Sequence, residues 1–353
     1  MPTLGAAALR AYSTRIFQAC NTPAEEATTV SDHLVTANLM GFDSHGVIRI
    51  PEYLGYVREG MIQPGAPTAI VRETATTATV DCGWNFGQVG ALRAMEVAIE
   101  KARRQHVSTV ATIRCCHAGR IGTYTQMAAE QGFVAIALAN SLHAGRWVLP
   151  WGGREGRLAT NPISFAVPCP GSEPILSDFS TAETAEGKIR LYRNRGDQVP
   201  AGWIVDAEGT PTLDPNEFYG PPRGAILPFG GDRGYRGYAL SLLVDVLGGI
   251  LAASTSLADR DGNGICFIAV DVEAFQSRER FGELMDDMKS FIKSSPPAEG
   301  FEEVAMPGEL DFRLKGQRLE DGIPLDDRTW DAIREAARGV GVAEGPEAGL
   351  EHS

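Results

Sequence analysis

The sequence predicts an α/β fold with a helical N-terminal segment, on three observations. Apolar periodicity alternates between strand and helix from Thr76 to Ser141. Two helical patterns with start and stop signals fill the first 40 residues, and Leu158–Pro228 is rich in strand and turn signals.

In chain order, Thr22-Pro23-Ala24-Glu25 predicts the start of the second helix, with Thr22 as cap, proline at the first helical position and Glu25 completing the box. Val30, Leu34 and Ala37 share one face of that helix, and Gly41 is placed to end it. Pro51 fits only the first turn of a helix, so the next helix is predicted to begin near Val47, with His45 just before it. Strands are predicted at Thr76–Val80, Val107–Ile113 and Val134–Leu138, with helices at Val89–Arg103 and Thr123–Glu130 between them. This β-α-β-α-β run invites a doubly wound parallel sheet, yet no segment fits the G-x-G-x-x-G fingerprint of the usual dinucleotide-binding fold. Gly234–Ala253 reads as a long buried helix, Ile265–Val270 as a buried strand, and Arg278–Ser294 as an amphipathic helix. Beyond Val342 the chain is rich in Glu and Gly and reads as a frayed tail.

The 353 residues carry a net charge of −13, which disfavours nucleic acid and anionic lipid as partners. The N-terminus shows no targeting signal, and Tyr238–Ala253 is too short for a bilayer span and carries Asp245, so a cytoplasmic protein is expected. Six scattered cysteines without a C-x-x-C pair argue against a disulfide frame or structural zinc, and no metal site is expected. Asp259-Arg260-Asp261-Gly262-Asn263-Gly264 imitates a calcium loop but has Val270 where the bidentate glutamate belongs, and reads as a hairpin-type turn.

Candidate chemistry falls on two loop histidines beside glycine: His45 in Asp43-Ser44-His45-Gly46, and His117 in His117-Ala118-Gly119-Arg120-Ile121-Gly122. His33 and His106 read as structural or solvated, and His143 and His352 as weaker candidates. Arg49 and Tyr53 lie four apart on one helix face beyond His45, a pairing suited to a small carboxylate held by a guanidinium fork near a helix end.

Six blocks occur in order: the Asp43–Arg49 and His117–Gly122 segments, Pro150-Trp151-Gly152-Gly153-Arg154-Glu155, Thr160-Asn161-Pro162-Ile163-Ser164-Phe165, Gly234-Tyr235-Arg236-Gly237-Tyr238 and Pro307-Gly308-Glu309. Together they resemble the malate/L-lactate/ureidoglycolate dehydrogenase family over about residues 5 to 342, a family that includes Δ1-piperideine-2-carboxylate reductases. The resemblance implies a non-Rossmann α/β fold: an NAD(P)-binding domain with a mostly antiparallel mixed sheet, and a helical domain from the two chain ends. The corresponding boundaries are 1–74 for the N-terminal helical segment on the substrate side, 75–295 for the sheet domain, 296–342 for the C-terminal helical segment, and 343–353 for the tail.

By the same resemblance, His117 matches the proton acceptor of some members and His45 that of others, and sequence leaves the choice open. Ser44, Arg49 and Tyr53 are implied on the substrate side. The implied cofactor set, for NAD or NADP, is Ser141, Thr160, Asn161, Pro162, Asp178, Phe179, Ser180, Thr181, Lys188, Arg236, Gly237, Pro307, Gly308 and Glu309. Homodimers are implied as well. The chain departs from many members at Arg236, where lysine is usual, in Asp178–Ala182, and in a longer Leu142–Leu149 stretch. The expected activity is hydride transfer between nicotinamide and C2 of a small 2-hydroxy or 2-oxo acid of the malate or lactate kind. A cyclic imino acid is the alternative substrate, and a catalytically silent nucleotide-binding protein the non-enzymatic alternative.

Overall fold

The computed structural model describes residues 2–141, 145–254 and 262–346, so His143, His352, Asp259–Asp261 of the expected turn and the tail from 347 lie outside the described residues. After strand β1 (Thr3–Leu4), helices α1 (Ala6–Gln18) and α2 (Ala24–Leu39) bury Leu9, Ile16, Phe17, Val30 and Leu34 completely. Thr22 does not cap α2. Pro23 takes the cap position in an extended conformation, which moves the start one residue on and leaves the Thr22 hydroxyl buried without a partner. Gly41 does end the helix: at φ 82° its N–H bonds Asn38 O at 3.0 Å while the Phe42 N–H reaches back to Ala37 O at 2.8 Å.

The next α-helix starts later than Val47. Two 3-10 turns, Asp43–His45 and Val47–Arg49, precede α3 (Ile50–Arg58), and Pro51 sits in its first turn. Strands β2 (Ala69–Glu73) and β3 (Thr77–Asp81) form a hairpin. Helix α4 (Gly87–Gln105), strand β4 (Val107–Ile113), helix α5 (Gly122–Glu130) and strand β5 (Phe133–Ser141) then alternate as the periodicity predicts. Strands β6 (Ile163–Val167) and β7 (Ile175–Phe179) follow. A small subunit of the fold comes next, with α6 (Glu186–Arg195), β8 (Ile204–Val205), β9 (Pro211–Thr212), α7 (Pro215–Tyr219) and β10 (Ala225–Ile226) around Ile189, Ile204 and Phe218.

Helix α8 (Tyr235–Val244) runs on into a π-helical turn at Asp245–Ile250, before strand β11 (Asn263–Asp271). The seven-stranded sheet has the order β2-β3-β4-β11-β5-β6-β7. Only β3 and β4 pair in parallel, and β11 lies antiparallel between β4 and β5. The doubly wound reading is thereby overturned, and the mostly antiparallel sheet is what the chain forms. Local periodicity cannot reveal that a strand more than a hundred residues downstream separates β4 from β5.

Helix α8 is also less buried than its composition predicts, with Leu242, Leu243, Val246 and Ile250 exposed. A stripe of small residues around Ser241, Val244, Gly248 and Gly249 is buried, and the apolar residues on the other side have no covering partner among the described residues.

Helices α9 (Arg278–Lys293) and α10 (Glu309–Asp321), strand β12 (Ile323–Pro324) and helix α11 (Asp327–Gly339) complete the chain. Strand β12 pairs with β1, and Trp330, Ile333 and Ala337 share one apolar core with α1, α2 and α3. A boundary at residue 74 cuts the β2–β3 hairpin, because β2 is already the edge strand of the large sheet. The described tail residues 343–346 follow α1, where Arg15 donates to the Glu344 carbonyl at 2.8 Å, so the chain is still tied down past 343. No described helix is long and apolar enough to cross a membrane.

Candidate active site

The turn after α2 is built to present His45 and Arg49. The Asn38 side chain donates to Asp43 Oδ1 at 2.7 Å and accepts the Val47 N–H at 2.8 Å. A Cβ at Gly46 would stand 2.2 Å from that amide, so glycine is required there. Arg318 of α10 grips Asp43 at 2.7 and 3.1 Å, which makes Asp43 a fastener of the turn. Arg49 donates from Nε to the Ser44 carbonyl at 2.7 Å and from Nη1 to Glu52 at 2.6 Å. Its Nη2 has no protein partner among the described residues, so one edge of the fork is open.

His117 comes from the loop before α5. Gly87, at the start of α4, has no room for a Cβ against the carbonyls of Cys116 and His117. The Tyr53 hydroxyl lies 2.7 Å from His117 Nδ1 and receives a hydrogen bond from Gln88 Nε2 at 2.9 Å. With Gln88 donating to it, the tyrosine O–H is free to point at Nδ1, an arrangement that would leave the proton of a neutral His117 on Nε2. Tyr53 has no exposed surface. The carboxylate contact expected of it therefore lacks a geometric basis, since its hydroxyl is committed to Gln88 and the imidazole.

The rings of His45 and His117 stack with centroids 5.6 Å apart and planes 21° apart. Ser44 Oγ lies 3.1 Å from His45 Nδ1, placing Ser44 beside the histidine. Burial, reinforced by the Arg49 and Arg120 cations, lowers the His45 pKa to about 4. Burial, with Arg49 and the neighbouring histidines, holds His117 well below its ordinary range too. Both shifts favour the neutral imidazole. His33 is structural: its Nε2 accepts the Arg120 backbone N–H at 3.0 Å and its ring stacks on Tyr124.

Half of the residues matched to a cofactor form one wall at the ends of β6 and β7. The Thr160 carbonyl accepts from Ser180 Oγ at 3.0 Å and from the Thr181 N–H at 2.9 Å, while Thr181 Oγ1 donates to the Asn161 carbonyl. Asn161 donates to Ser241 on α8, and Pro162 carries the strand onward, its carbonyl accepting the Ala139 N–H. Phe179 packs near Phe229, whose carbonyl accepts the Gly237 N–H at 3.1 Å. A Cβ at Gly237 would stand 2.2 Å from that carbonyl. Asp178 points the other way and accepts the Gly122 N–H at 2.7 Å, joining β7 to the loop of His117.

Ser141 ends β5 opposite Asn263, and Asn263 accepts the Ala118 N–H at 2.9 Å, so the histidine loop and this strand end meet. Arg236 is exposed and lies against its neighbour Tyr235, and Lys188 is exposed on α6. Pro307, Gly308 and Glu309 are not part of the wall. Pro307 and Gly308 pack on Leu176 earlier in β7, and Pro307 and Glu309 border a cavity of about 430 Å³ lined also by Ser172, Lys289 and Arg313. Glu309 there is held by Lys293 at 2.8 Å.

The wall fits a polar ligand such as a dinucleotide. Asn161 Oδ1 is buried without a partner, and so are Nε and Nη2 of Arg146, whose charge acts on nearby Asp245. Four residues here escaped the sequence reading. Gln88 carries no local signal, Asn263 was submerged in a turn pattern, Arg120 stood unremarked in the His117 block, and Asp245 was visible as a charge inside an apolar stretch. Asp245 accepts from Asn140 at 3.2 Å within the π-helical turn.

The fold and site define a dehydrogenase. The malate/L-lactate dehydrogenase family profile matches residues 4–334, and the chain belongs to that family of oxidoreductases acting on CH–OH groups. It is 36% identical over 345 residues to the malate dehydrogenase of Pyrococcus abyssi, covering 95% of this chain and 94% of that one. Among solved structures it is similar to a putative malate/lactate dehydrogenase from Escherichia coli, with TM-score 0.90, 32% identity and coverage of 96% and 95%. It is also similar to the Δ1-piperideine-2-carboxylate reductase of Pseudomonas syringae, with TM-score 0.81, 28% identity and coverage of 95% and 100%.

Proposed function

We propose that this chain uses NAD or NADP to interconvert a small 2-hydroxy acid and its 2-oxo acid. The observation that carries the reading is the stacked pair His45 and His117 with the open edge of Arg49 beside it. Thr160, Asn161, Ser180, Thr181, Ser141 and Gly237 would hold the dinucleotide. When bound, it supplies or accepts the hydride at C2.

The protein's own residues do the rest. Arg49 takes the substrate carboxylate through its free edge and so orients C2. His117, held by Tyr53, gives a hydrogen bond from Nε2 to the C2 oxygen, and the second imidazole exchanges the proton. A neutral histidine is ready to accept a proton in oxidation. In reduction it must first be charged against its burial, so reduction rises toward acid and oxidation falls there. The same pH trend in both directions would remove histidine from the role.

The testing experiment is NADH and NADPH oxidation by purified protein against oxaloacetate, pyruvate, phenylpyruvate, 2,3-diketogulonate and Δ1-piperideine-2-carboxylate. Turnover of a 2-oxo acid is the expected result, and silence with every acid counts against the reading. The imino acid is the second reading, favoured by the likeness to a reductase named for that substrate. A C=N nitrogen is more basic than a ketone oxygen, so its reduction depends less on the histidines, and turnover of the imine alone selects this alternative.

The exposed face of α8, with Leu242, Leu243, Val246 and Ile250, is assigned to contact with a second copy of the chain. Light scattering is expected to show a dimer, and Leu243→Glu with Ile250→Glu a monomer. A wild-type monomer at micromolar concentration refutes the assignment.

A further inference from the structure

Arg120 is 1% exposed, and its Nε and Nη2 are buried without a hydrogen-bond partner. Its Nη1 reaches Thr123 Oγ1 only at 3.5 Å, and no carboxylate lies within ion-pair distance among the described residues. A cation so placed is costly. The guanidinium carbon lies 4.7 Å from the centroid of the Phe42 ring, and the Phe42 carbonyl accepts the His45 N–H at 2.9 Å. The same loop meets the same turn a second time, where His117 stacks on His45. Between the two contacts the loop is pinned to α2. The Arg120 N–H bonds His33 Nε2, and a Cβ at Gly119 would stand 2.4 Å from that nitrogen.

Resting on the function proposed above, we propose that Arg120 is a positioning residue for His45, its guanidinium forming with the His117 ring a two-point clamp that sets the separation of the imidazoles. The contact on Phe42 fixes where the 3-10 turn begins, and the ring stack fixes which way His45 faces. The clamp also puts a permanent charge beneath the turn. His45 is faced by Arg49 from its own segment, by His33 from α2, and by His117 and Arg120 from the loop. Arg120 is faced in turn by Asp178 of β7 and Asp311 of α10. The two arginines both disfavour the imidazolium, so loss of either charge eases protonation of His45.

The test compares Arg120→Met, Arg120→Lys and Phe42→Leu in the full-length enzyme. It follows His45 by NMR titration of histidine-labelled protein and 2-hydroxy acid oxidation as a function of pH. Arg120→Met is expected to lower kcat about tenfold with KM for the acid little changed. It should also move the His45 titration and the acid limb of kcat upward by about one pH unit. Arg120→Lys, which keeps the charge but loses the planar face on Phe42, should leave the titration in place without restoring kcat. Phe42→Leu should behave like the lysine variant.

A folded Arg120→Met enzyme with wild-type kcat and wild-type His45 titration overturns the proposal. If that variant does not fold, wild-type kcat in both Arg120→Lys and Phe42→Leu overturns it. The titration is read on resting protein. If no 2-hydroxy acid is turned over, the functional reading has failed and an unmoved His45 titration is what overturns the clamp.

Discussion

Alanine at His117 is expected to lower kcat by about two to three orders of magnitude in both directions while nucleotide binding persists. The size follows from what the side chain does. Its Nδ1 is held by Tyr53, itself fixed by Gln88, so the imidazole is delivered in one orientation. Tyr53→Phe removes that anchor without removing the imidazole, and should cost roughly tenfold in kcat, near the value of one hydrogen bond to a reacting group. Steady-state kinetics with isothermal titration of the nucleotide checks both. If His117→Ala keeps wild-type kcat while His45→Ala does not, His45 acts without the hydrogen bond assigned to His117 and that role is refuted. If neither matters, proton transfer belongs elsewhere.

Methionine at Arg49 is expected to reduce kcat/KM for the acid by about a thousandfold, with most of the loss in KM. Arg49 is already held at Nε and Nη1 by the Ser44 carbonyl and Glu52, so its open edge is preset and little order is lost when a carboxylate arrives. Lysine at the same place keeps the charge but not the fork, and should recover only a small part of the loss. A substrate amide in place of the carboxylate should be equally poor with wild type and Arg49→Met. A methionine variant with unchanged KM would show that the carboxylate is read by another group.

The candidate site was partly legible in the chain because its signals are local. The Asp43–Arg49 segment announces a turn before a helix by its glycine and proline, and the Schellman ending at Gly41 is written in the residue that tolerates φ 82°. The His117–Gly122 segment places histidine and glycine where a strand gives way to a helix. What stayed hidden depends on distant partners. Tyr53 has helical spacing from Arg49 and so reads as its companion, but the fold turns it inward onto His117, 64 residues away. Asn263, read as part of a turn, supports Ala118 from 145 residues away. Neither contact leaves a periodicity in the sequence.

By itself the sequence determined the first helices, the alternating strands and helices from Thr76 to Ser141, the turn that carries His45 and Arg49, and an order of blocks specific enough to name a family. Those follow from backbone propensity, capping and the burial period of each segment, which neighbouring residues settle among themselves. Only the tertiary structure decided that β11 separates β4 from β5, that the far side of α8 faces outward, and that the Arg120 guanidinium is buried against the Phe42 ring. Each of these depends on which buried surfaces compete for the same partner. Hydrophobic burial is non-directional, so the pattern of a segment states that it must be covered and leaves to the rest of the chain what covers it.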